Sequence, residues 1–275
     1  MMPMMNDLDL IIKQYPEDMN ALHVYAIGDV HVGSEQFDEQ AIKKKIQIIK
    51  DDPFAAVCIC GDLGDYGLKN SKTNVYRATM QPREQQEYIY NLLEPIADKI
   101  AACVPGNHEE RITKEVGTYC PMYDICVRLC IGEVYRENVA ITKFAFGTMP
   151  GQAKHRRRDN VFIGITTHGS TRNKHKKFIA GFDGIDFAIS GHTHTPEYSP
   201  HGRIVIDARS ATAKLVGYKE IVVDAHLAPG GYSLKKEYEV APPPELQYLE
   251  LYVTRTGKEN TRKNYKVMNY HAIQI

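Results

Sequence analysis

The chain has no net charge, no long apolar run and no cysteine ladder, and each absence removes a class of protein. Its 34 lysines and arginines equal its 34 aspartates and glutamates over 275 residues, so it is no polycation that binds polyanions indiscriminately. The longest uninterrupted apolar stretch runs from Phe54 to Cys60, far short of the roughly 18 residues a membrane-spanning helix needs. The first residues lack a basic opening and place Asp7 and Asp9 where a secretion leader would be apolar. A cytoplasmic location, with no membrane partner, is the expectation. Cys58, Cys60, Cys103, Cys120, Cys126 and Cys130 follow no disulfide spacing and are expected to be reduced. Cys58 and Cys60 alternate within an apolar run and Cys103 closes another, places where a free thiol acts as a small hydrophobe. Neither a CxxC pair nor an HxxxH partner accompanies them, which argues against a thiolate metal site. There is no internal repeat. With 43% hydrophobic and 25% charged residues, 20 glycines and 14 prolines, the composition is that of a globular protein.

Leu22 to Ile27 alternates and is rich in strand formers, then breaks at Gly28. Phe37, Ala41, Ile42, Ile46 and Ile49 recur at helical spacing, and Asp51-Asp52-Pro53 ends that helix. Phe54 to Cys60 reads as a buried strand. Pro82 fits a helix start, with Tyr88, Leu92, Leu93 and Ile96 as its stripe. At Pro95 the helix either kinks or gives way to a second short one. Ile100 to Val104 is another buried strand. Met122 to Ile131 reads as helix. Val139 to Phe146, Val161 to Thr167, Ile185 to Ser190, Arg203 to Ala208, Ile221 to Ala225 and Tyr248 to Thr254 read as strands, with a stiff Pro242-Pro243-Pro244 connector before the last. Alternating strands and helices followed mostly by strands predict an α/β layered protein built on a pair of sheets.

Five of the strands run into short clusters of metal-ligating residue types: Gly28-Asp29-Val30-His31, Gly61-Asp62-Leu63-Gly64-Asp65, Gly106-Asn107-His108-Glu109, His168-Gly169 and Gly191-His192-Thr193-His194. Ligands of α/β sheets collect at the carboxyl ends of strands, so five such loops can converge on one point. Each alone is weak, since a lone Asp-x-His is more often a turn and a lone buried His more often structural. Their joint occurrence is the signal. Imidazole, carboxylate and amide oxygen suit Mn, Fe, Zn or Ni rather than Ca or a thiolate cluster. The donors outnumber what one tetrahedral ion takes and suit two ions sharing a carboxylate.

The ordered set Asp29-x-His31, Gly61-Asp62-x-x-Asp65, Gly106-Asn107-His108-Glu109, His168 and Gly191-His192-x-His194 resembles the calcineurin-like metallophosphoesterase superfamily. The resemblance implies a two-sheet β-sandwich flanked by helices, a four-layer α/β/β/α fold, which agrees with the strand pattern. One domain is expected over residues 1–275, with an extension at 1–20 and a β-rich completion or cap at 211–275. By matching position, Asp29, His31 and His194 would hold one divalent metal ion, Asn107, His168 and His192 a second, and Asp62 would bridge them. Mn is the first expectation, with Fe, Zn, Ni or Mg as alternatives. The implied reaction is hydrolysis of phosphate esters by a hydroxide bridging the two ions. His108 would protonate the departing alkoxide. Asp65 would either hold the opposite ring nitrogen of His108 or simply cap its loop.

The substrate is less specified, because members of the superfamily cleave monoesters, diesters, pyrophosphates and nucleic acids. Its protein Ser/Thr phosphatases carry an arginine directly after the second aspartate, where this chain has Tyr66. Its lipid-precursor pyrophosphatases lack the histidine that stands here at His108. A phosphodiesterase or nuclease-like activity is slightly favoured over a monoesterase or small-nucleotide hydrolase. A non-catalytic subunit binding nucleic acid or protein is the alternative, although such members lose ligands and this chain keeps the set. Two basic stretches, Lys154 to Arg158 and Arg172 to Lys177, read either as solvated charge runs or as a rim that steers phosphate. Arg172 and Arg111 are the candidate substrate contacts. No aromatic series interleaves the basic residues as a single-strand stacking platform would.

Overall fold

The computed structural model describes residues 6–69, 75–150, 157–228, 243–256 and 263–275. Two sheets carry the fold. In the first the order is β11 (Lys263–Gln274), β10 (Glu245–Thr256), β2 (Ala21–Ile27), β3 (Ala55–Ile59) and β4 (Ile100–Cys103). In the second it is β1 (Ile11–Gln14), β5 (Val139–Pro150), β6 (Arg157–Thr167), β7 (Phe187–Ser190), β9 (Thr212–Val222) and β8 (Glu197–Asp207). Both sheets are mixed, but β2, β3 and β4 run parallel to one another, and so do β6, β7 and β9. That is the arrangement of a helix-flanked metallophosphoesterase sandwich. Val24, Leu249 and Leu251 of the first sheet share one fully buried core with Phe144, Phe146 and Phe162 of the second. Tyr198 of β8 stacks on Tyr270 of β11 at 4.4 Å between ring centroids, closing the far edge.

The helices follow from local chemistry. In α1 (Glu39–Asp51), Asp38 accepts the Ala41 N–H at 2.9 Å and caps the first turn, while Ile42, Ile46 and Ile49 bury one stripe. Pro82 occupies the opening turn of α2 (Pro82–Leu93), where its missing N–H costs nothing. Pro95 does not kink this helix; a separate 3-10 turn, Glu94–Lys99, begins there. Then come α3 (Asn107–Val116), α4 (Pro121–Arg128) and α5 (Arg172–Ile179).

Four elements lie outside those expected from the sequence. These are β1, α3, β11 and α5, the last lying on what reads as a basic run. The C-terminal strands serve both sheets: β9 joins the second sheet and β10 and β11 the first. Lys154, His155 and Arg156, with the side chains of Arg157 and Arg158, lie outside the described residues, as does Pro242. Among the described residues no helix is long and apolar enough to cross a membrane.

Candidate metal centre

Because the parallel strands of each sheet end at the same pole, their loops meet there. Asp29 and His31 follow β2, Asp62 and Asp65 follow β3, and Asn107 and His108 open α3 after β4. His168 follows β6, and His192 and His194 follow β7. Loop-to-loop bonds fix the meeting. The Asp29 N–H donates to Gly61 O at 3.0 Å, and the His31 N–H to Asp62 O at 3.0 Å. The His108 N–H donates to Asp62 Oδ1 at 2.8 Å and the His192 N–H to Asp29 Oδ2 at 2.7 Å, the latter joining the two sheets. Gly106 permits the closest approach, since a Cβ there would overlap the Asp62 carboxylate and its backbone nitrogen. Asp29, His31, Asp62, His192 and His194 all adopt positive φ, between 48° and 74°. For non-glycine residues that costs about 1 kcal/mol or more each, a strain that local sequence preference would not choose.

All seven ligand candidates come together. His31 Nε2 and His194 Nε2 lie 3.0 Å apart. Asn107 Oδ1 is 3.0 Å from His168 Nε2 and 2.8 Å from His192 Nδ1, and those two nitrogens are 3.2 Å apart. An ion with bonds of about 2.1 Å to nitrogen and oxygen sets neighbouring donors about 3.0–3.4 Å apart, and these separations are close to such edges. Asp29, His31 and His194 offer ligand atoms within 4.8 Å of one another, as do Asp29, Asp62 and His168, and also His31, Asp62 and His108. His168 Nδ1 lies 2.8 Å from Cys60 O; donation to that carbonyl leaves Nε2 as the bare ligand nitrogen. Asp29 Oδ1 is buried with no hydrogen-bond partner, and a buried orphan oxygen of this kind is what a bound cation satisfies. The donor set therefore fits divalent metal ions.

The electrostatics agree. Burial pushes the Asp29 carboxyl up to about 8, with the charge of Asp62 adding to the rise against the opposing pull of His168. Burial would raise Asp62 too, but the hydrogen bond and charge of His168, with His108 and His31, hold it well below the usual carboxylate range. Burial lowers His31, His192 and His194, the last to about 4, which keeps them in the neutral form that ligates metals. His168 is opposed by burial yet raised to about 9 by Asp62 and Asp29. In the absence of a cation, protons on Asp29 and His168 offset the local negative charge, and metal binding would displace them.

His108 lies beside this set, with Nε2 3.8 Å from Asp62 Oδ2. Its Nδ1 is held by the backbone carbonyl of Asp65 at 2.6 Å, and the Asp65 carboxylate stands farther off at 3.4 Å. Asp65 thus orients His108 chiefly through its main chain. Arg111 lies along the His108 ring, its guanidinium nitrogens 3.2 Å from Nδ1 and 2.9 Å from Nε2. Arg172 pairs with Glu197 at 2.7 Å, as does Lys176 at 3.5 Å, so the basic helix α5 is partly neutralised by the first residue of β8. Tyr66, following Asp65, is buried in the core.

Glu109 was grouped by sequence with the metal-ligating types, but its carboxylate turns away from them. It accepts four backbone N–H groups: Asp62 and Gly106 at 2.9 Å on Oε2, and Leu63 and Gly64 at 2.9 and 3.2 Å on Oε1. The spacing Gly106-x-x-Glu109, an acid at the third position of a helix, is the capping signal that would have found this role.

A family model described as calcineurin-like phosphoesterase matches residues 22–196. No curated protein sequence matches the chain.

Proposed function

The chain belongs to the calcineurin-like phosphoesterase family, and from that membership and its assembled donor set we propose that it is a metal-dependent phosphoesterase, cytoplasmic, acting on phosphodiesters in preference to monoesters. The observation that carries the reading is the convergence of Asp29, His31, Asp62, Asn107, His168, His192 and His194 with His108 alongside. Asp29, His31 and His194 would hold one ion, Asn107, His168 and His192 the other, with Asp62 between them. Divalent ions bound there, Mn first among them, would polarise a phosphoryl oxygen and bring the pKa of water toward neutrality.

The chain's own residues do the rest. The carbonyl of Asp65 accepts a hydrogen bond from Nδ1–H of His108, and burial is outweighed by Asp65 and Asp62, which favour the imidazolium. Its second proton, on Nε2, would pass to the leaving alkoxide and leave a neutral imidazole, a contribution of about 10²–10⁴ in rate. Arg111 covers Nε2 in the free protein; an incoming phosphate would draw the guanidinium to itself and free that nitrogen. The diester preference is supported by the cationic supply. Tyr66 stands buried where phosphoprotein phosphatases place an arginine, and Arg172 is committed to Glu197. Arg111 is then the one arginine touching the cluster among the described residues, which suits a singly charged diester better than a dianionic monoester.

The test is hydrolysis of bis-p-nitrophenyl phosphate against p-nitrophenyl phosphate, with Mn, Fe, Zn, Ni and Mg in turn. We expect a faster diester rate, abolished by chelation and restored by metal. Asp62→Asn should lower it at least about a hundredfold, beyond the range of outer-shell changes. Failure on both substrates with every metal would assign the chain to the non-catalytic class.

A further inference from the structure

The family match ends at residue 196, yet a later segment reaches the metal centre. After β9 the chain passes under the ligand loops. The Val223 N–H donates to Ser190 O at 2.8 Å, immediately before Gly191-His192, and the His226 N–H donates to Asp29 O at 2.9 Å. Ser190 ends a strand of the second sheet and Asp29 follows a strand of the first, so this short stretch ties the two sheets together at the ligands. It continues on to α1: Asp38 N–H donates to His226 O at 2.9 Å, Ala228 N–H to Gln36 O at 2.8 Å, and Leu227 bridges to Phe37. Its anchor is buried. Lys45 of α1 donates to both oxygens of Asp224 at 2.9 and 3.0 Å, with side chains 1% and 6% exposed, and Asp224 also accepts the Glu245 N–H at 2.7 Å.

We propose that Val223–Leu227, locked by the Lys45–Asp224 pair, is a positioning tie for the metal centre that fixes Asp29 relative to the His192 loop. Asp29 sits at a φ of 48°, a left-handed conformation that costs a non-glycine residue about 1 kcal/mol or more and persists where the surroundings hold it. Its main chain is held on the N–H side by Gly61 and on the carbonyl side by His226. Release of the second bond leaves the left-handed turn with one restraint, and the ligand oxygen drifts from its donors. Outer contacts that orient ligands are worth about 10–100-fold in metal affinity, and by linkage a bound metal must in turn stabilise the tie. The inference rests on the metal-binding reading above.

The experiment is hydrogen exchange on the wild-type protein, metal-free and with saturating Mn, together with Mn titration of Asp224→Asn and Lys45→Met. We expect slower exchange at the His226, Asp38 and Ala228 amides when Mn is bound, and Mn affinity at least about tenfold weaker in variants whose circular dichroism matches wild type. If the variants fail to fold, the exchange data decide. Mn binding that leaves those amides unchanged, or Mn affinity within twofold of wild type in folded variants, overturns the tie and leaves the phosphoesterase reading standing. Absence of binding of Mn, Fe, Zn, Ni and Mg alike by the wild type sinks both.

Discussion

Replacing Glu109 with glutamine changes one oxygen for an NH2 group and little else in volume. Each carboxylate oxygen accepts two backbone N–H groups, so whichever way the amide turns, two N–H donors face another donor. Bonds to an ionised acceptor are worth about 1.5–3 kcal/mol each, a loss of roughly 3–6 kcal/mol. Part is returned, because the charge removed is itself strained: burial and the nearby Asp62 raise the Glu109 carboxyl against the pull of the Gly106 and Gly64 N–H groups. A net destabilisation of about 2–4 kcal/mol is the expectation. Urea unfolding followed by circular dichroism reads it as a midpoint lowered by about 1 M or more at unchanged slope. Because either orientation frees at least one amide of the Asp62–Gly64 turn that carries the Asp62 carboxylate, the metal-dependent rate should fall about a hundredfold, the usual cost of an ångström-scale misplacement. A Glu109→Gln protein within about 0.5 kcal/mol of wild type, with its rate intact, would refute the reasoning.

Three further outcomes follow from the same coordinates. Gly106→Ala should abolish metal-dependent hydrolysis and lower the melting temperature, since the added carbon overlaps Asp62; full activity would mean the loops can separate freely. Burial raises the Glu220 carboxyl, but His175 at 3.2 Å and His201 at 2.7 Å hold it below its ordinary value. A depressed folded value means the stabilisation is present above the unfolded pKa of about 4.3 and is lost as pH falls through the folded one. Glu220→Gln should therefore cost more at pH 5.5 than at pH 3, and an equal cost at both, measured by denaturant midpoints, would contradict the assignment. All six cysteines are free, with Cys130 exposed, Cys120 half-buried and the other four buried. A thiol reagent should thus label Cys130 promptly and Cys58, Cys60, Cys103 and Cys126 only after denaturation, as peptide mass mapping would reveal.

The parts of this protein that could be read from sequence are those where one interaction dominates. Ile42, Ile46 and Ile49 announce α1 because burial of one stripe decides it, and the ligand loops stand out because polar residues interrupt apolar strands at Asp29, Asp62 and Asn107. Helix α5 escapes notice because only His175 and Ile179 of its eight residues are buried, while Arg172 and Lys176 are held by ion pairs to Glu197. Strand β11 escapes because it lies at a sheet edge, paired with β10 along its backbone, and its apolar residues, such as Met268, Tyr270 and Ile273, are only partly buried. Glu109 is hidden for a different reason: a carboxylate beside ligand types looks like one of them, and its place three residues after Gly106 at the start of α3 is the one hint that backbone amides claim it. The roles of Arg111 and Arg172 depend on neighbours distant in sequence or on the turn of one helix, neither of which composition records.

The β8–β9 hairpin leaves the pole of the ligand loops two residues after Thr195, runs the length of eleven-residue strands and returns beneath Asp29. Its turn, residues 208–211, thus lies about 35 Å from the ligand loops at roughly 3.3 Å per residue. Both feet of the hairpin are fixed by paired strands while the turn is exposed. That makes the turn a natural insertion point for a fluorophore or an affinity tag, through which the protein could be tethered to a surface with its metal centre facing solution.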